Sequence, residues 1–363
     1  MRVTSMKNNR LNVAVLGGSG YTGGELLRLL TQHPRVQITM VTADKSVGLP
    51  VNQVFPHLES FCGLTFESID LERITRQSDL VFMALPHTRS MELVAQFYKE
   101  KKPVIDLSAD YRLHDPQVYE RWYQTAHTHA VLLKKAVYGL PELHRSRMAK
   151  ARLIAVPGCY PTAAILQLAP LVAKGLVRLD SIVIDAKSGI SGAGRSPALS
   201  YHFPEAHESL MAYKIGAHRH TPEIEQELNG LVPRTIRKQS PSAFQLLFSP
   251  HLVPMNRGIL STAYARLNKP LQTTEIQNVY RSFYKGERFI RLRTDSTSIS
   301  PNHVRGSNFC DMAVFADPRT HSVITVSAID NLVKGAAGQA VQAMNILMGF
   351  PEETGLSSPA AFP

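Results

Sequence analysis

Cysteine is scarce in this chain, and that scarcity limits where the protein can work. Only Cys62, Cys159 and Cys310 occur among 363 residues, which is too few to build a disulfide framework. We therefore expect a reducing compartment and predict a cytoplasmic protein. No apolar run reaches the roughly 18 residues of a membrane helix, and residues 1–13 lack the apolar core of a secretion signal. We expect neither a membrane span nor a membrane partner.

Clustered charge is also missing, although the chain is basic overall. It has 40 Lys and Arg residues against 29 Asp and Glu, a formal net charge of +11. The basic residues are scattered along the sequence, whereas a nucleic-acid-binding motif needs them grouped. We therefore expect no nucleic-acid partner. The excess positive charge fits either a solvated surface or the attraction of small anionic substrates.

The first part of the chain alternates between strand and helix patterns. Apolar runs typical of buried parallel strands occur at 11–17, 36–43, 79–86 and 103–108. Apolar residues at helical spacing lie between these runs, at 23–34 and 91–102. Because such alternation produces right-handed crossovers, it predicts an α/β unit of the Rossmann type with a parallel sheet.

From about residue 180 the pattern changes. Apolar or alternating runs separated by turn residues dominate, and the helical segments 221–231 and 274–285 interrupt them. This pattern predicts an α+β unit with a mixed, largely antiparallel sheet. A strong helical pattern at 331–349 follows a turn near the end of the sequence.

The segment GSGYTG, residues 18–23, stands between the first strand and the first helix. Gly18, Gly20 and Gly23 fit G-x-G-x-x-G in the context that predicts dinucleotide binding, because glycines allow a tight turn and a close approach of the backbone to a pyrophosphate. The helix N-terminus adds N–H donors and the positive end of the helix dipole. The alternative is a glycine turn with only a structural role.

The end of the second strand bears on which nucleotide is bound. An acidic residue about 20 positions beyond the fingerprint indicates NAD, and a basic residue indicates NADP. Asp44 stands there and could hold the ribose hydroxyls. Lys45 follows at once and could hold a 2′-phosphate together with Thr42 and Ser46. The spacing leaves the choice between the two cofactors open.

Cys159 lies between an apolar strand pattern and a long apolar helical pattern. A thiol at a helix N-terminus is close to unpaired N–H groups and to the positive dipole end, which lower its pKa and favour the nucleophilic thiolate. The same N–H groups can stabilise an oxyanion on an attacked carbonyl. The alternative is a small buried hydrophobic residue, the usual role of a free cysteine and the one expected for Cys62 and Cys310.

A nucleophilic thiol needs an acid or a base, and HRHTPE at 218–223 offers two imidazoles just before a helix. We predict Thr221 as the N-cap of that helix and Pro222 as its first residue. We expect only one of His218 and His220 to face the thiol. The alternative is a pair of exposed loop histidines.

A series of motifs extends this pattern along the chain: GGSGYTGGELLRLL, ALPH, DLSADYRL, YGLPEL, VPGCYPTA, SGISGAGR, HRHTPEIEQEL, NRGIL and AIDNLVKGAAGQAVQAMN. With these motifs in this order, the chain resembles the N-acetyl-γ-glutamyl-phosphate reductases, NADPH-dependent enzymes of arginine biosynthesis. That family is related more distantly to aspartate-semialdehyde and glyceraldehyde-3-phosphate dehydrogenases. The similarity covers residues 11 to 350 and is loose between 114 and 138.

The resemblance implies a role for each candidate residue. Cys159 would form a thioacyl-enzyme, with His220 as the acid/base and His218 as the second choice. Arg112 and Arg195 would hold a substrate carboxylate or phosphate, since a planar guanidinium suits such anions; the alternative for each is a structural ion pair. The resemblance also implies the residues that hold the cofactor. They are Ser19, Gly20, Tyr21, Thr22 and Gly23 at the pyrophosphate, Leu85 and Pro86 beneath the cofactor, Ser191 and Gly192 at the nicotinamide, and Asn331 in contact with the nucleotide.

The resemblance also implies the reaction and the organisation of the protein. The enzyme would use NADP(H), without a metal, to reduce N-acetyl-γ-glutamyl phosphate to N-acetylglutamate 5-semialdehyde and phosphate. The implied domains are nucleotide-binding (1–157), catalytic and dimerising (158–330), and a C-terminal helix returning to the first domain (331–363), in a homodimer or homotetramer. The alternatives are a reductase of aspartyl or N-acetyl-aminoadipyl phosphate, or a non-catalytic nucleotide-binding regulator.

Overall fold

The computed structural model describes residues 10–239 and 244–362, and the chain divides into two compact units. Unit 1 contains the residues up to Pro116 together with Ala126–Val156 and Ala337–Ser357. Unit 2 contains Gln117–Thr125, Pro157–Ala336 and the residues from Ser358 onward. Within the described ranges each unit is built on one seven-stranded sheet. Those ranges contain no helix that is both long and apolar enough to cross a membrane.

The elements are numbered in chain order. The strands are β1 Leu11–Leu16, β2 Val36–Thr42, β3 Phe66–Glu67, β4 Leu80–Met83, β5 Val104–Asp106, β6 Val137–Tyr138, β7 Leu153–Ala155, β8 Val183–Gly189, β9 Met211–Ala212, β10 Leu247–Val253, β11 Ile259–Arg266, β12 Ile290–Leu292, β13 Cys310–Asp317 and β14 Ser322–Ile329. The α-helices are α1 Tyr21–Thr31, α2 Val51–Val54, α3 Leu71–Gln77, α4 Ser90–Lys99, α5 Pro116–Tyr123, α6 Ala130–Leu133, α7 Pro141–Met148, α8 Cys159–Ala173, α9 Phe203–Ala206, α10 Thr221–Leu231, α11 Arg234–Gln239, α12 Thr273–Phe283 and α13 Gly338–Met348.

The sheet of unit 1 is parallel throughout, in the order β3-β2-β1-β4-β5-β7-β6. The four residues of β4 are all buried, and β1 is buried except for the half-buried Asn12, as expected for strands covered on both faces. The strand order reverses at β1, and ligands of such sheets bind beyond the carboxyl ends of the strands at that point. The Rossmann-type prediction is confirmed.

Helix α13 belongs to unit 1, where it packs against α1 and α7. Its Asn345 is fully buried, and the Asn345 Oδ1 lies 3.0 Å from Nε2 of His33, just beyond α1. The sequence pattern predicted a helix over 331–349, but the α-helix begins only at Gly338, after a π-helical turn, Val333–Ala337. The apolar period of the sequence did not indicate this π turn, whose Gly335 lies close to another segment of unit 2, as described below.

The sheet of unit 2 has the order β12-β13-β14-β11-β8-β10-β9. Four of its neighbouring pairs are antiparallel, and β8–β10 and β12–β13 are parallel. Helix α8 is buried along almost its whole length and packs against β11 and β14, which explains why its sequence is apolar on nearly all sides. The prediction of a mixed, largely antiparallel sheet is confirmed.

Candidate active site

The glycine loop of unit 1 is packed tightly against β2. The Gly18 N–H donates to the carbonyl of Thr42, with N and O 2.8 Å apart. A Cβ on Gly18 would overlap Cγ1 of Val41, and a Cβ on Gly23 would lie 2.5 Å from the Gly18 carbonyl oxygen. Both positions therefore exclude a side chain, because the loop, the strand and α1 meet there at backbone distance.

Gly20 is different, because it faces open space. It is the N-cap of α1, with extended backbone angles, and a Cβ placed on it would meet nothing within 4 Å. Ser19 and Thr22 on either side are half-buried, and Tyr21 is exposed. An unobstructed helix N-terminus that presents N–H groups and the positive dipole end fits the pyrophosphate of a dinucleotide.

The residues at the end of β2 are placed in two different ways. Thr42 is 1% exposed, and its Oγ1 accepts the Gly17 N–H at 3.3 Å. Its hydroxyl therefore supports the glycine loop from below. Asp44 and Lys45 are exposed just beyond the strand and Ser46 is half-buried, so the structure leaves these side chains accessible to a ribose or a 2′-phosphate.

The loop after β4 lies beside the glycine loop. The Ala84 N–H donates to the Leu16 carbonyl at 2.8 Å, and a Cβ on Gly17 would be 3.0 Å from Cδ2 of Leu85. Leu85 is half-buried and Pro86 is exposed. The structure thus brings the two segments predicted to contact the cofactor to the same edge of the unit 1 sheet.

Arg112 is enclosed within unit 1. It is 6% exposed, its Nε donates to the Val156 carbonyl at 2.7 Å, and its Nη2 donates to the Leu107 carbonyl at 2.9 Å. Nearby, burial and, to a smaller extent, the Asp110 carboxylate together raise the pKa of Asp106 to about 7. Arg112 is thus held by two backbone carbonyls of unit 1, and its substrate role stays a prediction.

In unit 2, Cys159 is the first residue of α8 and is half-buried. Its neighbour Gly158 is the N-cap, and the Gly158 N–H donates to Oε1 of Glu223 at 2.8 Å. Glu223 is buried in the first turn of α10, directly after the histidine pair. One carboxylate therefore connects the start of the cysteine helix to the start of the histidine helix.

The π-helical turn before α13 also approaches the cysteine. A Cβ on Gly335 would lie 2.8 Å from the Cβ of Cys159, a separation that real side chains do not adopt. The turn is anchored by the Gly335 N–H, which donates to the Asp330 carbonyl at 3.0 Å. Gly335 is thus required for the close packing of this turn onto the start of α8, and sequence reasoning did not identify it.

An aromatic cluster surrounds His218. The rings of Tyr160, Tyr213 and Phe248 lie edge-on to the imidazole, with centroids 5.3–5.5 Å away. The Tyr213 hydroxyl donates to the Tyr160 hydroxyl at 3.3 Å. Burial raises the pKa of Tyr213, and the charge of the Cys159 thiolate raises it as well. Tyr213 is therefore an O–H donor near the thiol, and no pattern in the sequence indicated it.

The two histidines have different surroundings. His218 is 8% exposed, and burial lowers its pKa to about 4, with the nearby Lys214 and Arg219 charges adding to the effect. Its Nδ1 accepts the His220 N–H at 3.1 Å. His220 is half-buried and is the N-cap of α10, one residue earlier than predicted, so that Thr221 is the first helical residue. The two ring centroids are 4.8 Å apart.

Asn331 holds two loops of unit 2 together. It is 2% exposed; its Nδ2 donates to Oγ of Ser191 at 3.0 Å and its Oδ1 accepts the Gly258 N–H at 2.7 Å. Gly192 and Arg195 in the same SGISGAGR loop are exposed. The structure thus places Asn331 beneath the loop rather than on its open side, and its contact with a nucleotide stays a prediction.

A buried ion pair lies next to this junction. Arg257 donates from Nη2 to Oδ1 of Asp330 at 3.1 Å, its Nε lies 3.1 Å from the Asp330 Oδ2 as an ion pair, and Asp330 is fully buried. Asp330 also accepts the Gly306 N–H at 2.7 Å. Arg257 lies in the motif NRGIL and Asp330 in AIDNLV, but nothing in the two motifs indicates that they pair. Within the described ranges, no group of three or more His, Cys, Asp or Glu side chains could hold a metal ion.

Comparison with known proteins agrees with this arrangement. Residues 12–151 match the family model described as semialdehyde dehydrogenase, NAD binding domain, and residues 159–331 match the semialdehyde dehydrogenase, dimerisation domain. The chain is 50% identical over 354 residues to an N-acetyl-gamma-glutamyl-phosphate reductase of Geotalea daltonii and 51% identical to that of Geobacter metallireducens. Each match covers 97% of this chain and 100% of the relative.

Solved structures share the fold at low sequence identity. Aspartate semialdehyde dehydrogenase II from Vibrio cholerae superposes with a TM-score of 0.68 at 16% identity, and the Candida albicans aspartate semialdehyde dehydrogenase with NADP superposes with a TM-score of 0.70 at 17% identity. Both cover 94% of this chain and 99% of the solved one. At these identities the likeness shows the fold alone.

Proposed function

Because the chain belongs to the N-acetyl-γ-glutamyl-phosphate reductase family, we propose that it reduces N-acetyl-γ-glutamyl phosphate through a thioacyl intermediate on Cys159. The observation that carries this proposal is the position of the thiol at the first residue of α8. The first N–H groups of a helix have no acceptor within it. They favour both a thiolate and an oxyanion there.

The thiolate of Cys159 attacks the acyl-phosphate carbon, the bond to the phosphate oxygen breaks, and inorganic phosphate leaves with that electron pair. NADPH, when bound, supplies the hydride that converts the resulting thioester to a thiohemiacetal. His220 donates a proton to the oxygen of this thiohemiacetal and takes it back when the carbon–sulfur bond breaks, which returns the electron pair to sulfur as the thiolate and releases the aldehyde. The negative oxygen of the tetrahedral intermediate is stabilised by N–H groups in the first turn of α8. Because Pro161 has no N–H, the donors are those of Cys159 and Tyr160.

We assign the acid/base role to His220 on the basis of accessibility and ionisation. The pKa of His218, lowered by burial to about 4, leaves that ring neutral at working pH, and its Nδ1 is occupied by the His220 N–H. The His220 ring is more accessible and is held at the start of α10, the helix whose Glu223 contacts Gly158. His218 then positions the backbone of His220.

For the cofactor we propose NADP(H), bound by the open end of α1. Gly20 and the first turn of the helix would bind the pyrophosphate, and the exposed Lys45 together with Ser46 would bind the 2′-phosphate. Thr42 would act only through the loop that it supports. A kcat/KM for NADPH well above that for NADH supports this assignment; the reverse preference, with Asp44 holding the ribose hydroxyls, contradicts it.

For the assembly we propose a homodimer or homotetramer working in the cytoplasm. The match to a dimerisation domain supports self-association through unit 2. Several large apolar side chains in that unit are exposed by more than 60%: Leu199, Phe203, Leu210, Leu247 and Phe362. Three free cysteines support a reducing compartment. Light scattering coupled to size exclusion measures the stoichiometry directly.

The decisive experiment traps the proposed intermediate. Wild-type enzyme is mixed with N-acetyl-γ-glutamyl phosphate without reductant, quenched in acid and digested; we expect the peptide that contains Cys159 to gain the mass of the acyl group. The variant Cys159→Ser should keep NADPH binding and lose turnover, whereas Cys62→Ser should keep both. Normal turnover without any acylated peptide, or full activity of Cys159→Ser, would contradict the mechanism.

The substrate assignment needs its own measurement. Aspartyl phosphate and N-acetyl-aminoadipyl phosphate carry the same reactive group, so the thiol chemistry does not separate them. Phosphate-dependent oxidation of the three corresponding semialdehydes compares the reverse rates directly. We expect N-acetylglutamate 5-semialdehyde to give the highest kcat/KM, and a higher value for either of the others would reassign the substrate.

A further inference from the structure

The sheet of unit 1 has a cavity at the edge opposite the glycine loop. Its volume is about 580 Å³, and Lys135 and Arg152, which line it, precede β6 and β7. Arg147 and Lys150 reach it from the end of α7, and Tyr98 from the end of α4. Because the strands are parallel, the amino ends of β6 and β7 lie away from the carboxyl end of β1, where the glycine loop begins.

The lining of this cavity has one sign of charge. Lys135, Arg147, Lys150 and Arg152 all line it, and none of the described residues that line it is acidic. Within the described part of the chain, none of these four cations forms an ion pair with a carboxylate. Four like charges around one concavity repel one another and concentrate anions there.

The cavity is also partly preorganised. The Arg152 guanidinium carbon lies 4.4 Å from the centroid of the Tyr98 ring, and the Lys135 Nζ lies 5.8 Å from the same centroid. The aromatic face therefore orients two of the cations, although a neutral ring cannot neutralise them. The Ser146 side chain adds a hydroxyl at the rim. The four cations are exposed, so solvent ions or a bound anion can neutralise them.

We propose that this cavity binds a small molecule that carries two or more adjacent phosphate groups. The volume lies within the range of small-molecule sites, roughly 300–1,000 Å³. Two guanidinium groups offer bidentate hydrogen bonds to phosphate oxygens, and two ammonium groups supply further charge. A single carboxylate or phosphate leaves most of the four cations unneutralised, whereas a polyphosphate engages them together. The site is independent of Cys159 and of the proposed reaction.

The test uses tripolyphosphate as the probe and isothermal calorimetry on the full-length enzyme saturated with NADP⁺, so that the α1 site is already filled. We expect one further site per chain. The double variant Arg147→Ala/Lys150→Ala should weaken that binding by at least about tenfold, since charge-assisted hydrogen bonds are among the stronger polar contacts. Its kcat and thermal unfolding should match the wild type, because both side chains are exposed.

A matched control separates a built site from diffuse charge. Lys99→Ala/Lys134→Ala removes the same charge from exposed positions nearby that do not line the cavity, and it should change the affinity less than about threefold, the scale of screened surface effects. Equal weakening in both double variants, or no binding by the NADP⁺-saturated wild type, overturns the proposal. Tighter binding of a 20-nucleotide single strand with the same dependence on Arg147 and Lys150 also overturns it, in favour of a nucleic-acid contact.

Discussion

His218 and His220 are two residues apart, yet their surroundings give the two rings different capacities. Replacing His220 with Asn removes the proposed proton donor, and kcat should fall by about 10²–10⁴-fold. Replacing His218 with Asn removes a ring that is neutral at working pH, so kcat should fall less. Steady-state kinetics with saturating substrates compares the two variants, and a larger loss in His218→Asn would reverse the assignment.

Adding a single methyl group at Gly335 should be enough to lower kcat. In Gly335→Ala the new methyl group would lie 2.8 Å from the Cβ of Cys159, so either the π turn or the thiol must move. Displacement of a reacting group on that scale lowers kcat by on the order of 10- to 100-fold. Single-turnover acylation of Cys159 should slow by the same factor.

A second glycine gives the matched control for this prediction. A Cβ on Gly230 of α10 meets nothing within 4 Å, so Gly230→Ala should leave kcat unchanged and stabilise the exposed helix by roughly 0.5–1 kcal/mol. If Gly335→Ala retains full acylation rate, the close packing of the π turn has no part in placing the nucleophile.

At the scale of elements, Glu223 connects the starts of α8 and α10. In Glu223→Ala the buried Gly158 N–H loses its acceptor, which should lower the free energy of unfolding by about 1–3 kcal/mol. The value of kcat should fall as well, because Cys159 and His220 are no longer held in fixed positions relative to each other. Glu223→Gln keeps an oxygen acceptor, so it should retain much of the stability and much of the kcat that the alanine variant loses. Unfolding curves and initial rates measure the two effects separately.

The same helix provides a control in Glu225. Its Oε1 accepts the Leu246 N–H at 3.1 Å, a comparable bond to a backbone group that is remote in sequence from Cys159. Glu225→Ala should therefore lower stability and leave kcat close to that of the wild type. A similar loss of kcat in both alanine variants would mean that activity follows the stability of α10 rather than its link to α8.

The predictable part of these elements is local. Helix α10 matches the predicted range 221–231, and β1 and β2 lie within the predicted runs, because apolar period and helix-start residues are properties of a few neighbouring positions. The two-residue strands β3 and β6 were not predicted, since pairing with β2 and β7 defines them rather than their own composition. Such short strands form because of tertiary contacts and have no signal in their own sequence.

The same distinction applies to the site. Cys159 and the histidine pair were found from the sequence because a thiol before an apolar helix and two imidazoles before another are local patterns. The Gly158–Glu223 bond, the Gly335–Cys159 approach and the Arg257–Asp330 pair each join residues more than 60 positions apart. No period or spacing encodes such contacts, so only the folded chain shows them.

Across the described residues of both units, three buried histidines share one arrangement. Nδ1 accepts the N–H of the residue two positions on, in His33 from Arg35, in His127 from His129 and in His218 from His220. Each ring is therefore neutral with its proton on Nε2, and burial is the main cause that lowers the pKa of all three. Protonation at Nδ1 would break the backbone contact in both units.

This arrangement fixes the sign of a pH effect on stability. Because the folded-state pKa of His218, about 4, lies below its unfolded value of 6.5, the unfolded chain takes up the proton first as the pH falls. The contribution of the neutral ring is complete above pH 6.5 and is lost as the pH falls toward 4. The buried Asp106, whose pKa is raised to about 7, acts in the opposite direction, so absolute stability combines the two effects.

The difference between wild type and His218→Asn isolates the histidine. At pH 7.5 the variant should be the less stable protein, because the Nδ1 acceptor and the packing against Tyr160 and Phe248 are lost. At pH 5 that deficit should be smaller by about 2 kcal/mol, the value that linkage gives for these two pKa values. Unfolding followed at pH 7.5, 6 and 5 measures the deficit. If it is constant or larger in acid, His218 is not a neutral buried ring, and the assignment of the proton donor to His220 loses its electrostatic basis.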